Sequence, residues 1–529
     1  MADVIADPEL DPTATYAVDP TRARTLAARV VASPGGEQHV SHTPMTGAPL
    51  ASLPVSTPQD VTVAIATARA AQRAWARLSV EQRGKVLLRF HDLVLERQVE
   101  LLDLIQLEAG KARSHAFEEV ADCAIVARHY ARKAPAYLKD LKVPGGIPVL
   151  SQTVVGHRPK GVVGIVSPWN YPLSLAITDA LPALMAGNAV VLRPDQQSSL
   201  TALAGHELLL EAGLPEGVFQ VVLGPGSSTG QAIVDQADYV CYTGSTPTGR
   251  VVGQAAAKRL VGFSLELGGK NAMYVAADAD VPRAVKGAIR ACFASAGQLC
   301  ISAERLLVHR DVYGEFVTQF VEAVEAMKLG TDLAYGYDMG SLVGQSQLDT
   351  VTRHVEDARS KGAIVLTGGR ARPDIGPFVH EPTVLSGVTE TMACRNDETF
   401  GPVVSIYEVG SDDEAVAFAN DTEYGLNASV WTRDVGRGRE IASRIQTGTV
   451  NINDGYAAAW GSVGAPMGGM KASGIGRRHG REGILKYTES QNVTAQHLVG
   501  FGGLPGVPED KYAQGMSVAL RAMKALGFK

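Results

Sequence analysis

Between residues 162 and 265 short apolar runs alternate with segments of helical periodicity. The runs are Val162-Val163-Gly164-Ile165-Val166, Ala189-Val190-Val191-Leu192, Val218 to Leu223, Tyr239 to Tyr242 and Leu260 to Leu265. Between them lie Leu173 to Met185, Leu200 to Ala212, Thr229 to Asp235 and Pro247 to Lys258. A strand that is apolar at successive positions has both faces buried, the condition of a parallel sheet covered by helices on each side. The expected fold class is therefore α/β, built on open parallel sheets that bind ligands beyond the carboxyl ends of their strands. Glycine clusters occupy those ends. Leu223-Gly224-Pro225-Gly226 follows one strand, and Thr243-Gly244-Ser245-Thr246-Pro247-Thr248-Gly249 follows the next and opens a helix. Backbone N–H groups and a hydroxyl at such a helix start suit a phosphate. Neither cluster has the GxGxxG spacing of the dinucleotide fingerprint.

Ahead of this region Thr57-Pro58-Gln59-Asp60 reads as a helix start, and helical spacing runs on to about Lys139, so the first third is mostly helical. Pro144-Gly145-Gly146 breaks the pattern, and Val149 to His157 reads as extended chain. After Cys300 a second βα alternation begins with Leu306 to Val308 and helix Val312 to Met327. It continues through strand Ile364 to Thr367, helix Asp412 to Asn420, strand Ala428 to Trp431, helix Asp434 to Ile445 and strand Thr449 to Asn453. A chain of 529 residues exceeds one hydrophobic core. The expected organisation has an N-terminal extension, 1–42, and a cofactor-binding domain, 43–147 and 163–291. A catalytic domain, 292–483, follows, with a bridging and oligomerisation unit from 148–162 and 484–498 and a tail, 499–529. In the tail Gly500, Gly502, Gly503 and Pro505 form a linker. Tyr512, Met516, Leu520 and Met523 then recur at helical spacing, an amphipathic basic helix whose two readings are contact with a membrane surface and, the one expected, docking on a neighbouring subunit.

A net charge of -6 and no run of Lys and Arg give no electrostatic case for nucleic acid. Five scattered cysteines, Cys123, Cys241, Cys292, Cys300 and Cys394, point to a reducing compartment. The acidic start with Asp3, Asp7, Glu9 and Asp11 is no signal peptide, and no apolar run spans a bilayer, so a cytoplasmic location is expected. There is no CxxC pair and no HExxH, hence no support for a metal site.

Four stretches carry chemistry. Phe293-Ala294-Ser295-Ala296-Gly297-Gln298-Leu299-Cys300 is a small-residue turn ending on a thiol. Leu265-Glu266-Leu267-Gly268-Gly269-Lys270 closes a strand with a carboxylate, costly there unless it is used or paired. Ser167-Pro168-Trp169-Asn170-Tyr171-Pro172 ends another strand with an amide held between rings and prolines. Asp397-Glu398-Thr399-Phe400-Gly401-Pro402 offers an acid and an aromatic two residues apart, on one side if extended. A Gly-dense loop, Pro466 to Gly476, lies near the end of the second domain.

In identity, order and spacing these stretches resemble the aldehyde dehydrogenase superfamily over about residues 45 to 495. The resemblance implies two open parallel-sheet α/β domains with a small bridging hairpin, a homodimer or homotetramer, and oxidation of an aldehyde to the acid with NAD(P). Cys300 is then the nucleophile, and Asn170 with the Cys300 backbone N–H stabilises the oxyanion. Glu266 activates the water that hydrolyses the thioester. Glu398 and Phe400 clamp the nicotinamide ribose, Trp169 and Leu267 line the cofactor site, and Gly244 and Ser245 bind the pyrophosphate. A non-catalytic protein of the same fold is the alternative that the intact Cys300, Glu266 and Asn170 set opposes. A Cys–His hydrolase finds no local signature in His157, His206 or His309.

Departures from the family pattern bear on specificity. Where the family often has Lys-Pro-Ser-Glu, this chain has Arg193-Pro194-Asp195-Gln196. Gln196 removes a carboxylate that would repel a 2′-phosphate, and Arg193 suits one, while Asp195 opposes it if it faces the same way. NADP is the preferred cofactor and NAD the alternative. Succinate-semialdehyde members hold the substrate carboxylate with arginines at the places of Thr178 and Ala294, so that clamp is absent; a semialdehyde and a neutral aldehyde both stay open. Met467 replaces the usual Phe of its loop. Cys292 lies about two helical turns before Cys300, which raises the question of an inhibitory disulfide.

Overall fold

A computed structural model of the chain describes residues 18–144, 151–497 and 503–527. The acidic N-terminal residues, Gly145-Gly146 and Val149, and Gly500 and Gly502 of the linker lie outside the described residues.

The first sheet has six strands in the order Gly474–Ile475, Gly262–Glu266, Tyr239–Thr243, Val162–Val166, Ala189–Arg193 and Phe219–Val221. All neighbours are parallel except the two-residue edge, where Gly474 pairs antiparallel with Glu266. Val162–Val166 and Ala189–Arg193 are buried at every position, as their unbroken apolar character requires. The chain moves outward from Val162–Val166 in one direction and then returns to its other side with Tyr239–Thr243. The crevice at such a reversal is the usual ligand site of an open α/β sheet. Helix Pro58–Trp75 starts at the expected place with a reciprocal cap. Asp60 N donates to Thr57 Oγ1 at 3.2 Å, and Thr57 N donates to Asp60 Oδ2 at 2.8 Å.

The second sheet has seven strands in the order Ile364–Thr367, Thr383–Ser386, Val403–Val409, Ala303–His309, Asn271–Val275, Asn427–Trp431 and Thr449–Ile452. Only Ile364–Thr367 runs antiparallel to its neighbour. Three of these strands, Asn271–Val275, Thr383–Ser386 and Val403–Val409, were not among the expected ones. Asn271–Val275 and helix Val281–Phe293 belong to this sheet and its core although they precede the boundary expected at 292. Strand Gln38–His42 likewise pairs with Pro49–Pro54 across the boundary expected at 42/43.

A third sheet joins Thr488–Gln496, Ser151–Pro159 and Leu141–Pro144, all antiparallel. The hairpin expected from 148–162 and 484–498 therefore gains a third strand from before residue 148. The tail helix Glu509–Ala525 buries none of its residues; Tyr512, Met516 and Met523 are half-buried and Leu520 is exposed. Among the described residues no helix is long and apolar enough to cross a membrane.

Candidate active site

Cys300 follows a backbone forced into an unusual path. Helix Val281–Phe293 ends, and Ser295, Ala296 and Gly297 take φ values of 53°, 55° and 70° in succession. The left-handed region costs an ordinary residue on the order of 1 kcal/mol, and small side chains keep that cost low. No other residue fits at Gly297, where a Cβ would lie 2.1 Å from the Gly401 carbonyl oxygen. The turn is pinned from several sides. Ser295 N donates to His115 Nδ1 at 3.2 Å, Val343 N donates to Gln298 Oε1 at 2.9 Å, and Asn271 Nδ2 donates to the Cys300 carbonyl at 2.7 Å.

Asn170 is brought to the same turn from the first sheet. Its Nδ2 donates to the Gln298 carbonyl at 3.0 Å, two residues before the thiol. The loop carrying it is held by a buried pair that sequence reasoning missed. Lys111 Nζ sits 2.7 Å from Glu119 and donates to the Asn170 carbonyl at 2.6 Å, while Glu119 Oε2 accepts from Leu173 N and Ser174 N at 2.8 and 3.0 Å. Only their burial distinguishes them from surface residues of a helical stretch.

Two cavities meet at Cys300. One is lined by Trp169, Gly244, Ser245, Glu266, Leu267, Glu398 and Phe400, the other by Tyr171, Trp460, Met467, Arg478 and His479; Asn170, Leu175 and Cys300 belong to both. The thiol is partly accessible. Burial, then Glu398 and Glu266, push it up to about 12. The first cavity fits a dinucleotide. Ser245 stands at the N-cap of a 13-residue helix, Thr246–Lys258, without a side-chain hydrogen bond to it and with no acid in the first turn, which leaves the first N–H groups open to an anion.

Glu398 and Phe400 reach that cavity together, but not through an extended backbone. Phe400 has φ 52°, and its ring meets Trp169 edge-on at 5.7 Å. Glu398 turns back so that Oε1 accepts from Gly269 N at 2.8 Å. The bend is fixed by Glu304, also missed, which pairs with Lys270 and accepts from Thr399 N and Phe400 N at 3.0 and 2.9 Å. Burial, then Glu304, push the Glu398 carboxyl up to about 8.

Glu266 is buried and its Oε1 has no hydrogen-bond partner. Burial pushes its carboxyl up to about 7, against the opposing pull of Arg478 and Lys486. Those cations share Asp179. Arg478 Nη2 lies 3.3 Å from Asp179 Oδ2, and Lys486 Nζ lies 3.4 Å from Oδ1. Burial alone would raise Asp179, yet the two cations outweigh it and hold it at about 2.

Arg193, Asp195 and Gln196 lie apart from the thiol, at the end of strand Ala189–Arg193. Arg193 Nε donates to the Gly224 carbonyl at 2.9 Å, and its Nη1 lies 3.7 Å from Asp195 Oδ2. Asp195 thus faces Arg193, the orientation that works against a phosphate, while Gln196 brings no charge. Cys292 is buried in the core of the second domain, where burial pushes its thiol up.

The aldehyde dehydrogenase family model matches residues 31–493. A protein of Mycolicibacterium smegmatis with the provisional name NADP(+) succinate-semialdehyde dehydrogenase is 53% identical over 481 residues, 91% of this chain and 93% of its own length. The mitochondrial succinate-semialdehyde dehydrogenase of Oryza sativa is 34% identical over 459 residues, 86% of each chain. A crystal structure of succinate-semialdehyde dehydrogenase from Burkholderia pseudomallei superposes with a TM-score of 0.84 at 32% identity, covering 88% of this chain and 96% of that one. With the cysteine, asparagine and glutamate of the motifs gathered around one pair of cavities, this chain belongs to the aldehyde dehydrogenase family and is an oxidoreductase of aldehydes.

Proposed function

We propose that the protein oxidises a short semialdehyde, with succinate semialdehyde the first candidate, to the acid at the expense of NADP. The observation that carries this reading is the meeting of the two cavities at Cys300, because a nucleophile between a nucleotide and an aldehyde is what the reaction requires. The names borne by the mycobacterial and plant relatives support the semialdehyde, and the former supports NADP.

Cys300 Sγ attacks the aldehyde carbonyl. The oxyanion falls to Asn170 Nδ2, already turned to the Cys300 loop, and to the Cys300 backbone N–H. Trp169, Leu267, Glu398 and Phe400 would orient a nicotinamide held in the first cavity, and Gly244 and Ser245 would receive the pyrophosphate; so held, the cofactor would accept the hydride that leaves the hemithioacetal carbon and bring a positive charge that favours the thiolate. Collapse of the hemithioacetal leaves an acyl group on Cys300. Glu266, with a buried, unpartnered oxygen and a carboxyl poised at about 7, takes a proton from water as that water attacks the thioester. The acid departs and the thiol is restored. Gln196 and Arg193 favour the 2′-phosphate of NADP, with Asp195 setting a limit on the preference.

Assembly through the sheet of Thr488–Gln496 belongs to the same reading, supported by an edge strand exposed at every position after Thr488. The cytoplasm is the proposed location, supported by five unpaired cysteines. The test is reduction of NADP and NAD in parallel with succinate semialdehyde and butanal. A preference for NADP and the semialdehyde is expected; turnover of butanal at equal efficiency would reject the substrate, and a preference for NAD would reject the cofactor.

A further inference from the structure

The cavity on the substrate side of Cys300 is walled mainly by apolar and aromatic side chains, among them Tyr171, Leu175, Ile301, Trp460 and Met467. Arg478 interrupts that wall. Its backbone is fixed by a two-way bridge, Met467 N to the Arg478 carbonyl at 2.9 Å and Arg478 N to the Met467 carbonyl at 2.6 Å. Its Nη2 donates to Thr178 Oγ1 at 2.7 Å and lies 3.3 Å from Asp179. Among the described residues no protein acceptor takes the remaining N–H groups of its fork. Beside it in the same cavity His479 is buried, holds a left-handed φ of 60°, and leaves Nδ1 without a partner.

We infer that Arg478 binds the distal carboxylate of the semialdehyde substrate. The guanidinium reaches the neighbourhood of Thr178 from the C-terminal loop, and so does the work of an arginine that this chain lacks at residue 178. Its free N–H groups offer a carboxylate a charge-assisted contact. Asp179 and Thr178 hold the fork in place from behind.

The inference rests on the semialdehyde reading, and the experiment separates the two. The quantity measured is the ratio of kcat/KM for succinate semialdehyde over butanal, in the full-length enzyme with NADP. In Arg478→Gln the ratio falls by roughly 10- to 100-fold, the loss of a hydrogen bond to a charged partner. Any effect of Arg478 on Glu266 or on folding acts on both aldehydes and cancels in the ratio. Arg478→Lys keeps the charge beside Asp179 and guards against loss of folding; it lowers the ratio to a smaller extent. A parent enzyme with no preference for the semialdehyde overturns the substrate reading and this contact with it. A parent that prefers the semialdehyde, with the preference kept in Arg478→Gln and Arg478→Lys, overturns the role of Arg478 alone.

Discussion

Consider the replacement of Glu266 by glutamine, which keeps the shape of the side chain and removes only its charge and basicity. The carboxyl is buried, its Oε1 lacks a partner, and its affinity for a proton is raised from 4.5 to about 7. Two consequences follow with different magnitudes. In catalysis the base for thioester hydrolysis is lost, a penalty of roughly 10²- to 10⁴-fold on that step alone. Rapid mixing with NADP and aldehyde should give a burst of about one NADPH per active site, then steady turnover lowered by that factor. The parent's steady rate falls as pH drops through about 7, because Glu266 acts only when ionised. The variant loses this limb. In stability the sign is opposite. A carboxyl whose folded-state affinity for protons exceeds its unfolded value contributes stability fully present below the unfolded value and lost as pH rises through the folded one. A rise from 4.5 to about 7 corresponds to on the order of 3 kcal/mol in the fully ionised state. Glu266→Gln should therefore unfold at a higher temperature than the parent at about pH 8.5, with the gap narrowing toward about pH 5. A variant that turns over at the parental steady rate, with the acid limb intact, would refute the assignment.

Asn170→Ala removes a side-chain donor from the oxyanion and should lower kcat roughly 10²- to 10³-fold with KM for the aldehyde little changed, by steady-state kinetics. Gly297→Ala places a Cβ 2.1 Å from the Gly401 carbonyl oxygen, so the nucleophile loop must shift. A folded protein by circular dichroism with activity reduced on the order of 100-fold is expected. Lys111→Met leaves Glu119 buried without its cation and should destabilise the chain by about 3–5 kcal/mol, read as a lowered melting temperature.

What the sequence made legible was local. Val162–Val166 and Ala189–Arg193 announce a buried parallel sheet because every position is apolar, and Thr57 with Asp60 announces a helix start because the cap is made within four residues. Cys300, Glu266 and Asn170 are each marked by a contiguous motif. Asn271–Val275 was missed because Gly268-Gly269 and Lys270 ahead of it read as the end of the Glu266 motif and not as a turn into a new strand, and Val403–Val409 because Ser405 and Glu408 interrupt its apolar pattern. The bend that unites Glu398 with Phe400 depends on a positive φ fixed by Glu304, remote in the chain. Arg478 sits in a run of glycines and charges that reads as a solvated loop. Its burial arises only when the C-terminal loop adds Gly474–Ile475 to the edge of the first sheet, beside Glu266. The partners of a site that come from opposite ends of the chain cannot be paired by spacing.

The central claim is that Cys300 carries the acyl group between hydride loss and hydrolysis. Glu266→Gln protein mixed with succinate semialdehyde and NADP, quenched in acid during the burst and digested, gives the direct measurement by mass spectrometry. The peptide containing Cys300 should carry the mass of a succinyl thioester, which should be absent when NADP is withheld. An unmodified Cys300 peptide during a full burst of NADPH, or an acyl group on another residue, would contradict it.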